Sequence, residues 1–424
     1  MLDIKLIREN PDIIRKDLEK RDRADLIKKL EEAIELDVRW RESLQREQKL
    51  RQRRNILSME ISKLKKQGKD ISEKLRLVKD IPSKIKEQQE KTEKLKNKLI
   101  EILMILPNIL HQSVPIGVDD SQNKVIRKWG KKPKFNFKLK SHVDLLEEKD
   151  LADTIKASEV SGSRFYYLKN ELVLLDYGLL KFALEHLYKK GFILMEPPYM
   201  IRRKPYEAMT SMDDFEDVMY KAQDEDLYFI ATSEHSIGPY HMNEIINADK
   251  LPLKYAGISP CFRKEAGSHG KDTKGIFRVH HFHKVEQFVF CKQEESWSIH
   301  EELLKNAEEL FQKLDLPYRV VNVCTGDMGS IAAKKYDIEV WMPAQKKYRE
   351  VVSCSNCTDY QARRLNTKYE EKGNRLLVHT LNSTAIATSR VIVAMMENFQ
   401  NKDGSFNIPK VLWPYLLFKV IGKK

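Results

Sequence analysis

Apolar positions in the first hundred residues are sparse and periodic. Leu36, Leu50, Leu57 and Leu64 fall on a seven-residue spacing, with Trp40 and Ile61 close to the same face. A break follows at Gln67-Gly68-Lys69-Asp70. Beyond it Val78, Ile81, Ile85, Gln88, Thr92, Leu95, Leu99, Ile102 and Leu106 alternate steps of three and four. That alternation is a heptad seam, which keeps one helical face against a partner helix. Two long helices joined by a short glycine turn should fold back as an antiparallel hairpin, and a helix of about 40 residues would reach roughly 60 Å. Pro82 should either start the second regular helix or kink it. Pro107-Asn108 ends the run.

Residues 107–140 read as a connector, rich in Pro115, Asp119-Asp120 and Lys131-Lys132-Pro133-Lys134. From about residue 141 the pattern becomes mixed. An amphipathic helix is predicted over 172–189, and strands over 192–195, 287–290 and 338–341. The expected class is α+β: an antiparallel-sheet domain carrying an N-terminal antiparallel two-helix coiled-coil arm. The division is an N-terminal domain over 1–110 and a catalytic domain over 111–424.

The chain has 424 residues, 41% of them hydrophobic, enough for a large core. No apolar run approaches the length of a membrane span, and the first residues lack the apolar core of a secretory signal. The five cysteines, Cys261, Cys291, Cys324, Cys354 and Cys357, are odd in number in a long chain. That argues against a disulfide framework and for a reducing cytoplasm. A net charge of +13 suits a polyanionic partner such as nucleic acid, although a lysine-rich solvated surface would have the same balance.

The chemistry concentrates between Ser259 and Phe290. This stretch divides into strand, glycine-rich basic loop, and strand. Arg263 and Glu265, two apart, should share one strand face. Arg278, Phe282 and Glu286, four apart, should share another. Two cations, two anions and a ring could thus converge on one sheet surface. A charged hairpin facing solvent is the plainer reading, and Phe282 on that face argues against it. The loop is not a phosphate-binding P-loop: Gly267 and Gly270 are too close, and Asp272 follows Lys271.

Phe262-Arg263-Lys264-Glu265 followed by Arg278, Phe282 and Glu286 resembles the second signature motif of class II aminoacyl-tRNA synthetases. Residues 191–199, with Pro197-Pro198, resemble the first motif, which builds the dimer interface in that class. The stretch 381–390, small residues alternating before Arg390, resembles the third. Thr232-Ser233-Glu234, Cys324-Thr325-Gly326-Asp327 and residues 348–356 single out the seryl-tRNA synthetases within the class. Residues 160–166 and 359–364 match that family as well. The resemblance spans essentially the whole chain, and the form of the third motif looks archaeal. Two positions depart from the common pattern: His281 stands where glutamine is usual, and Trp413 where a basic residue is common.

The resemblance implies a serine–tRNA ligase. L-Serine and ATP would give seryl-adenylate and pyrophosphate. Serine would then pass to the 3′ end of tRNA(Ser), with tRNA(Sec) open as a second acceptor. By residue match, Arg263 bridges the serine carboxylate and the α-phosphate, a two-anion task suited to a planar guanidinium. Arg263, Glu350 and Arg390 are the catalytic set. ATP would meet Arg263, Lys264, Glu265, Arg278, Val279, Phe282, Glu350, Val351, Val352, Ser353 and Arg390. Within that group Glu265 takes the adenine amino group, Phe282 stacks on the ring, and Arg278 and Arg390 hold the outer phosphates. Serine would meet Thr232, Ser233, Glu234, Arg263, Glu286, Asn382 and Thr384. Glu350 and Ser353 would hold Mg²⁺ with ATP, a normal oxygen donor set for that ion. The helical arm would grip tRNA across a homodimer, so that one subunit's arm serves the other's active site. Arg51, Arg53, Arg54, Lys63, Lys65 and Lys66 are candidates for phosphate contact.

Cys354-x-x-Cys357 has metal-knuckle spacing but no second pair, so zinc is not expected. His281 and His283 should share the strand face opposite Phe282, without a third ligand. Three rival functions stand beside the ligase: a paralogue loading another carrier, a catalytically silent RNA-binding dimer, and a coiled-coil scaffold. The basic arm argues against the first. The presence of Arg263, Glu286, Glu350 and Arg390 argues against the second. The third explains only the first hundred residues.

Overall fold

The structure is a computed structural model that describes residues 1–211, 218–265, 272 and 274–423. The Gly267, Gly270 and Lys271 spacing lies outside the described residues. The chain forms two compact units, Met1–Pro107 and Asn108–Lys424.

In the first unit two short helices precede the long helix α1, Ile27–Lys66, of 40 residues. Its end is set by Gly68, whose φ of +66° a side chain would resist. Gly68 N–H donates to the Lys65 carbonyl (3.2 Å) and Lys69 N–H to the Leu64 carbonyl (3.1 Å). These two bonds form a Schellman motif, which satisfies the last carbonyls of α1. The return leg is not one helix. A short helix Ser72–Lys79 precedes α2, Ile81–Ile105, and Pro82 sits in the first turn of α2, where its missing N–H costs nothing. The predicted seam is the buried one: Ile81, Ile85, Thr92, Leu95, Leu99, Ile102 and Leu106 are all buried. Leu57 packs with Ile81 and Ile85, and Leu50 and Val78 lie against them. A polar layer interrupts the apolar seam. Ser43 and Thr92 hydroxyls meet at 2.9 Å, and Gln88 Nε2 donates to Ser43 Oγ at 2.6 Å. Such a layer specifies register at some cost in stability.

The second unit is built on an eight-stranded sheet. Its strands are β1 Lys124–Trp129, β2 Ile193–Met195, β3 Leu253–Phe262, β4 His281–Cys291, β5 Tyr318–Asn322, β6 Lys334–Met342, β7 Lys347–Asn356 and β8 His379–Ala387. The spatial order is β1-β5-β6-β7-β8-β4-β3-β2, antiparallel throughout except for the β2–β3 pair. Strand β1 falls inside the stretch expected to be a connector. It is an exposed, charged edge strand with a register shift between Val125 and Arg127, so it lacks the apolar alternation that marks a half-buried strand. Helix α3, Glu171–Tyr188, α4, Ser296–Lys313, and α5, Thr388–Asn398, bury their apolar faces in the main core with the sheet. Among the described residues no helix is long and apolar enough to cross a membrane.

Candidate active site

The face of the sheet opposite that core is polar at its centre. Strand β4 shows why. Its two-residue period points Phe282, Lys284 and Glu286 one way, and Val285 and Val289 into the main core. A cavity of about 500 Å³ opens on the first face. Neighbouring β8 contributes Asn382 and Thr384, again two apart, and Thr384 is paired with Glu286 across the strands.

Glu350 and Ser353 on β7 also line this cavity, although an odd spacing of three should put them on opposite faces. A bulge resolves the conflict. Glu339 of β6 pairs with Glu350 while Ile338 pairs with Val352, so Val351 is an extra residue. The bulge turns Glu350 back to the face that Ser353 occupies. It also brings Val351 to the cavity wall.

Strand alternation does not place Arg263 and Glu265 on one face, contrary to expectation. Strand β3 ends at Phe262, and Glu265 has φ +52°, which breaks the alternation. Arg278 likewise precedes β4. All three nevertheless line the cavity, because Glu265 and Arg278 form an ion pair at 2.6 Å that draws the two strand ends together. His280 reinforces this closure. Arg263 N–H donates to the His280 carbonyl (2.9 Å), and His280 Nδ1 lies 2.7 Å from the Arg263 carbonyl oxygen. Arg263 Nε donates to the Ala231 carbonyl (3.3 Å), and its guanidinium carbon lies 5.3 Å from the Phe282 ring centre. Arg390, at the start of α5, is 3.3 Å from Glu350 Oε1 and donates to the Glu350 carbonyl at 3.1 Å.

Four residues expected at the site do not line the cavity. Ser233 is fully buried, with its hydroxyl on the Gly257 carbonyl at 3.2 Å. Val279 and Val352 point into the main core. Lys264 lies between two residues that face the cavity, and its N–H donates to the Val218 carbonyl at 3.0 Å. Each is a sequence neighbour of cavity residues whose alternate direction the backbone requires. Thr232 and Glu234, flanking Ser233, do face the cavity.

Several cavity residues escaped sequence reasoning. Lys284 is paired with Glu286, both almost fully buried, and the two-residue period through Phe282 and Glu286 would have found it. Lys335 and Ser355 face each other across β6 and β7 and line the same wall. Ser355 stands two beyond Ser353 on β7, so the same period would have found it; no local signal marks Lys335, which only the pairing of the strands brings to this wall. Cys357 also lines the cavity.

The electrostatics follow from burial among mixed charges. Burial pushes the Glu234 carboxyl up to about 7, and the Glu286 charge adds to this; Lys284, a hydrogen bond from Gln361, and Arg263 oppose it. Burial also raises Glu286, against Lys284 and Arg263. The Glu350 side chain is 45% exposed, and the desolvation it suffers at the cavity wall again works upward. Arg390, then Lys335, Arg263 and Lys284, outweigh it and hold this carboxyl below its usual range. Glu350 is therefore an anion at neutral pH, beside the Ser353 hydroxyl. One carboxylate and one hydroxyl suit an ion that keeps most of its shell as water and phosphate oxygen, as Mg²⁺ does. Burial, with the Glu350 charge adding to it and Lys335 opposing, brings Asp337 up to about 7.

The histidines have structural partners. His283 Nδ1 is 2.7 Å from Asp176 on α3, and His281 stacks on Tyr166 with ring centres 4.7 Å apart. Trp413 donates to the Ile408 carbonyl at 3.0 Å, and the Lys419 ammonium sits 4.4 Å from its ring centre. A cation thus lies at this spot although the residue itself is aromatic.

Known proteins match both units. Residues 1–110 fit the model of the seryl-tRNA synthetase N-terminal domain, and residues 215–399 fit the tRNA synthetase class II core domain (G, H, P, S and T). The serine–tRNA ligase of Thermococcus sibiricus is 54% identical over 99% of this chain and 97% of its own. That of Methanospirillum hungatei is 53% identical over 98% of this chain and 99% of its own. The crystal structure of seryl-tRNA synthetase from Pyrococcus horikoshii complexed with ATP superposes with a TM-score of 0.94 at 53% identity, covering 99% of each chain. The cytoplasmic enzyme of Naegleria fowleri in complex with AMP gives 0.88 at 33% identity, over 99% of this chain and 98% of its own. With a sheet, a helical arm and a cavity of this construction, and relatives this similar along the full length, the chain belongs to the seryl-tRNA synthetase family.

Proposed function

We propose that the protein is a serine–tRNA ligase that forms seryl-adenylate from L-serine and ATP and then charges tRNA(Ser). In the first step a serine carboxylate oxygen attacks the α-phosphorus, and the bond to the bridging oxygen breaks as pyrophosphate leaves. In the second, a terminal ribose hydroxyl of the tRNA attacks the seryl carbonyl carbon, and AMP leaves with the electron pair of the broken bond. The observation that carries this reading is the meeting, in one cavity, of a carboxyl pair suited to an amine and an arginine-rich group suited to phosphates. Glu234 and Glu286, with Thr232, form the first; Arg278 and Arg390, with Glu350, form the second; Arg263 lies between the roles.

At the amine-binding end the Glu234 and Glu286 carboxyls attract the serine ammonium. Asn382 and Thr384 offer hydrogen-bonding groups to the side-chain hydroxyl. A pocket that must hydrogen-bond this hydroxyl rejects alanine, because its own buried groups would go unpaired. Arg263 neutralises the carboxylate and the α-phosphate together and aligns the attack. Phe282 stacks on adenine and Glu265 accepts from its amino group. ATP binding then has to loosen the Glu265–Arg278 pair, freeing Arg278 for the outer phosphates. Glu350 and Ser353 would hold Mg²⁺, which when bound neutralises phosphate charge. Arg390 steers Glu350 and meets the same phosphates.

The helical arm supplies affinity for tRNA through basic side chains, and in this reading it serves the active site of the partner in a homodimer. Exposed apolar residues on α3 and β2, among them Leu174, Tyr177, Ile193 and Leu194, support a covered face. Serine-dependent ATP–pyrophosphate exchange tests the core of the reading. Exchange driven equally well by alanine or threonine would overturn the specificity.

A further inference from the structure

A buried hydrogen-bond chain runs beneath the amine-binding end of the cavity. Gln361, on the helix Tyr360–Leu365, and Thr380, on β8, are both fully buried. Thr380 Oγ1 donates to Gln361 Oε1 at 2.6 Å. Gln361 Nε2 donates to Glu234 Oε1 at 3.2 Å and to the Met209 carbonyl at 3.4 Å. This orientation of the amide is the one that serves an ionised Glu234: flipped, its oxygen would face that carboxylate and the Met209 carbonyl, neither of which can then donate. Asn382 lies two residues beyond Thr380 on the same strand and donates Nδ2 to the same Glu234 Oε1 at 3.0 Å. Both donors therefore land on one carboxylate oxygen. Among the described residues, Glu234 Oε2 receives no hydrogen bond.

We propose that Gln361, oriented by Thr380, is a positioning residue of the serine pocket: from beneath, it holds the Glu234 carboxylate facing the substrate amine without touching the substrate. The inference rests on the ligase reading, in which Glu234 meets the serine ammonium. The charged groups around Glu234 are Glu286 and Lys284 from β4 and Arg263 beyond β3, and the Cys357 thiol beyond β7 is held neutral by burial. Burial and Glu286 push the Glu234 carboxyl up to about 7, while Lys284, the Gln361 amide and Arg263 pull it down. Near neutral pH the carboxyl stands between its two forms, so losing one of its two donors shifts how much of it is charged. Removing the Gln361 N–H favours the neutral acid, which attracts an ammonium far less.

The test is the pH profile of serine-dependent ATP–pyrophosphate exchange, from acid to mildly alkaline pH, with the full chain and its Gln361→Leu, Thr380→Val and Thr380→Ser variants. In Gln361→Leu the acid limb of kcat/KM for serine should move up by about one pH unit, the scale of one lost charge-assisted hydrogen bond. From a starting value of about 7, the ionised fraction at pH 7 would then fall from about one half to about one tenth. Serine KM should accordingly rise about fivefold while KM for ATP stays within about twofold. Thr380→Val should shift the limb the same way by less, and Thr380→Ser, which keeps the donor, should restore the wild-type profile. An unmoved acid limb in Gln361→Leu overturns the inference, as does a parallel rise in KM for ATP. If Gln361→Leu does not fold, the threonine pair decides, and identical profiles for Val and Ser overturn it. A wild-type protein without serine-dependent exchange would instead remove the ligase reading on which the inference rests.

Discussion

Lys284→Met should make the catalytic unit's stability fall with rising pH more steeply than the wild type's does. Lys284 pairs with Glu286, and the two side chains are 9% and 1% exposed, so solvent screening offers little relief. Methionine keeps the volume and removes the charge. Glu286 then faces Glu234 with Arg263 as its remaining nearby cation. Breaking a buried pair from one side costs about 3–5 kcal/mol while the orphaned group stays charged. The carboxyl can escape that cost by taking a proton. Burial already raises its folded-state proton affinity, and losing Lys284, the largest opposing influence, raises it further. The folded state then binds the proton more tightly than the unfolded state, so stability falls as pH rises. The slope approaches about 1.4 kcal/mol per pH unit for one proton. Urea denaturation at pH 6, 7 and 8 should therefore show a loss that is small at pH 6 and several-fold larger at pH 8. Adding Glu286→Gln should recover most of it at pH 8, since no buried charge is left to pair. A loss equal at pH 6 and pH 8, or no recovery in the double variant, would refute the reasoning.

Other perturbations separate the parts of the site. Arg263→Ala should lower serine-dependent exchange by about a thousandfold or more, the scale of losing a charge placed where the transition state needs it, with an unchanged thermal midpoint. Near-normal exchange would refute its role. Glu350→Gln should raise the Mg²⁺ concentration needed for half-maximal exchange, and an unchanged Mg²⁺ dependence would move the ion elsewhere. Deleting residues 28–104 should spare exchange and cripple tRNA charging; retained charging would show that the arm is not the tRNA handle. Paired Ile193→Lys and Leu194→Asp changes on the exposed edge strand should halve the sedimenting mass if that face is the homodimer contact.

The arm was legible almost entirely in the sequence. A coiled coil is a local object, and the three-and-four alternation from Val78 to Leu106 states which side of the helix is buried before any partner is known. Gly68 and Pro82 likewise carry their own instructions in φ and in a missing N–H. On β4 the two-residue period was enough to set Phe282 and Glu286 on one face, and it would have included Lys284. Family motifs reached further and included Glu234, Glu350 and Arg390, which line the cavity as well.

Tertiary structure decided everything that depends on how one strand lies beside another. Glu350 and Ser353 share a face only because a bulge at Val351 shifts the β6–β7 register, and a bulge has no signature in its own six or seven residues. Arg263 and Glu265 converge with Arg278 through an ion pair and the His280 clamp, not through strand alternation, since Glu265 adopts a left-handed backbone. Gln361, Thr380 and Glu234 are distant in sequence and meet in the buried interior. Periodicity is a property of one segment, so it can assign a face. The charge state of a buried carboxylate is a property of every segment around it, and only the folded chain determines that.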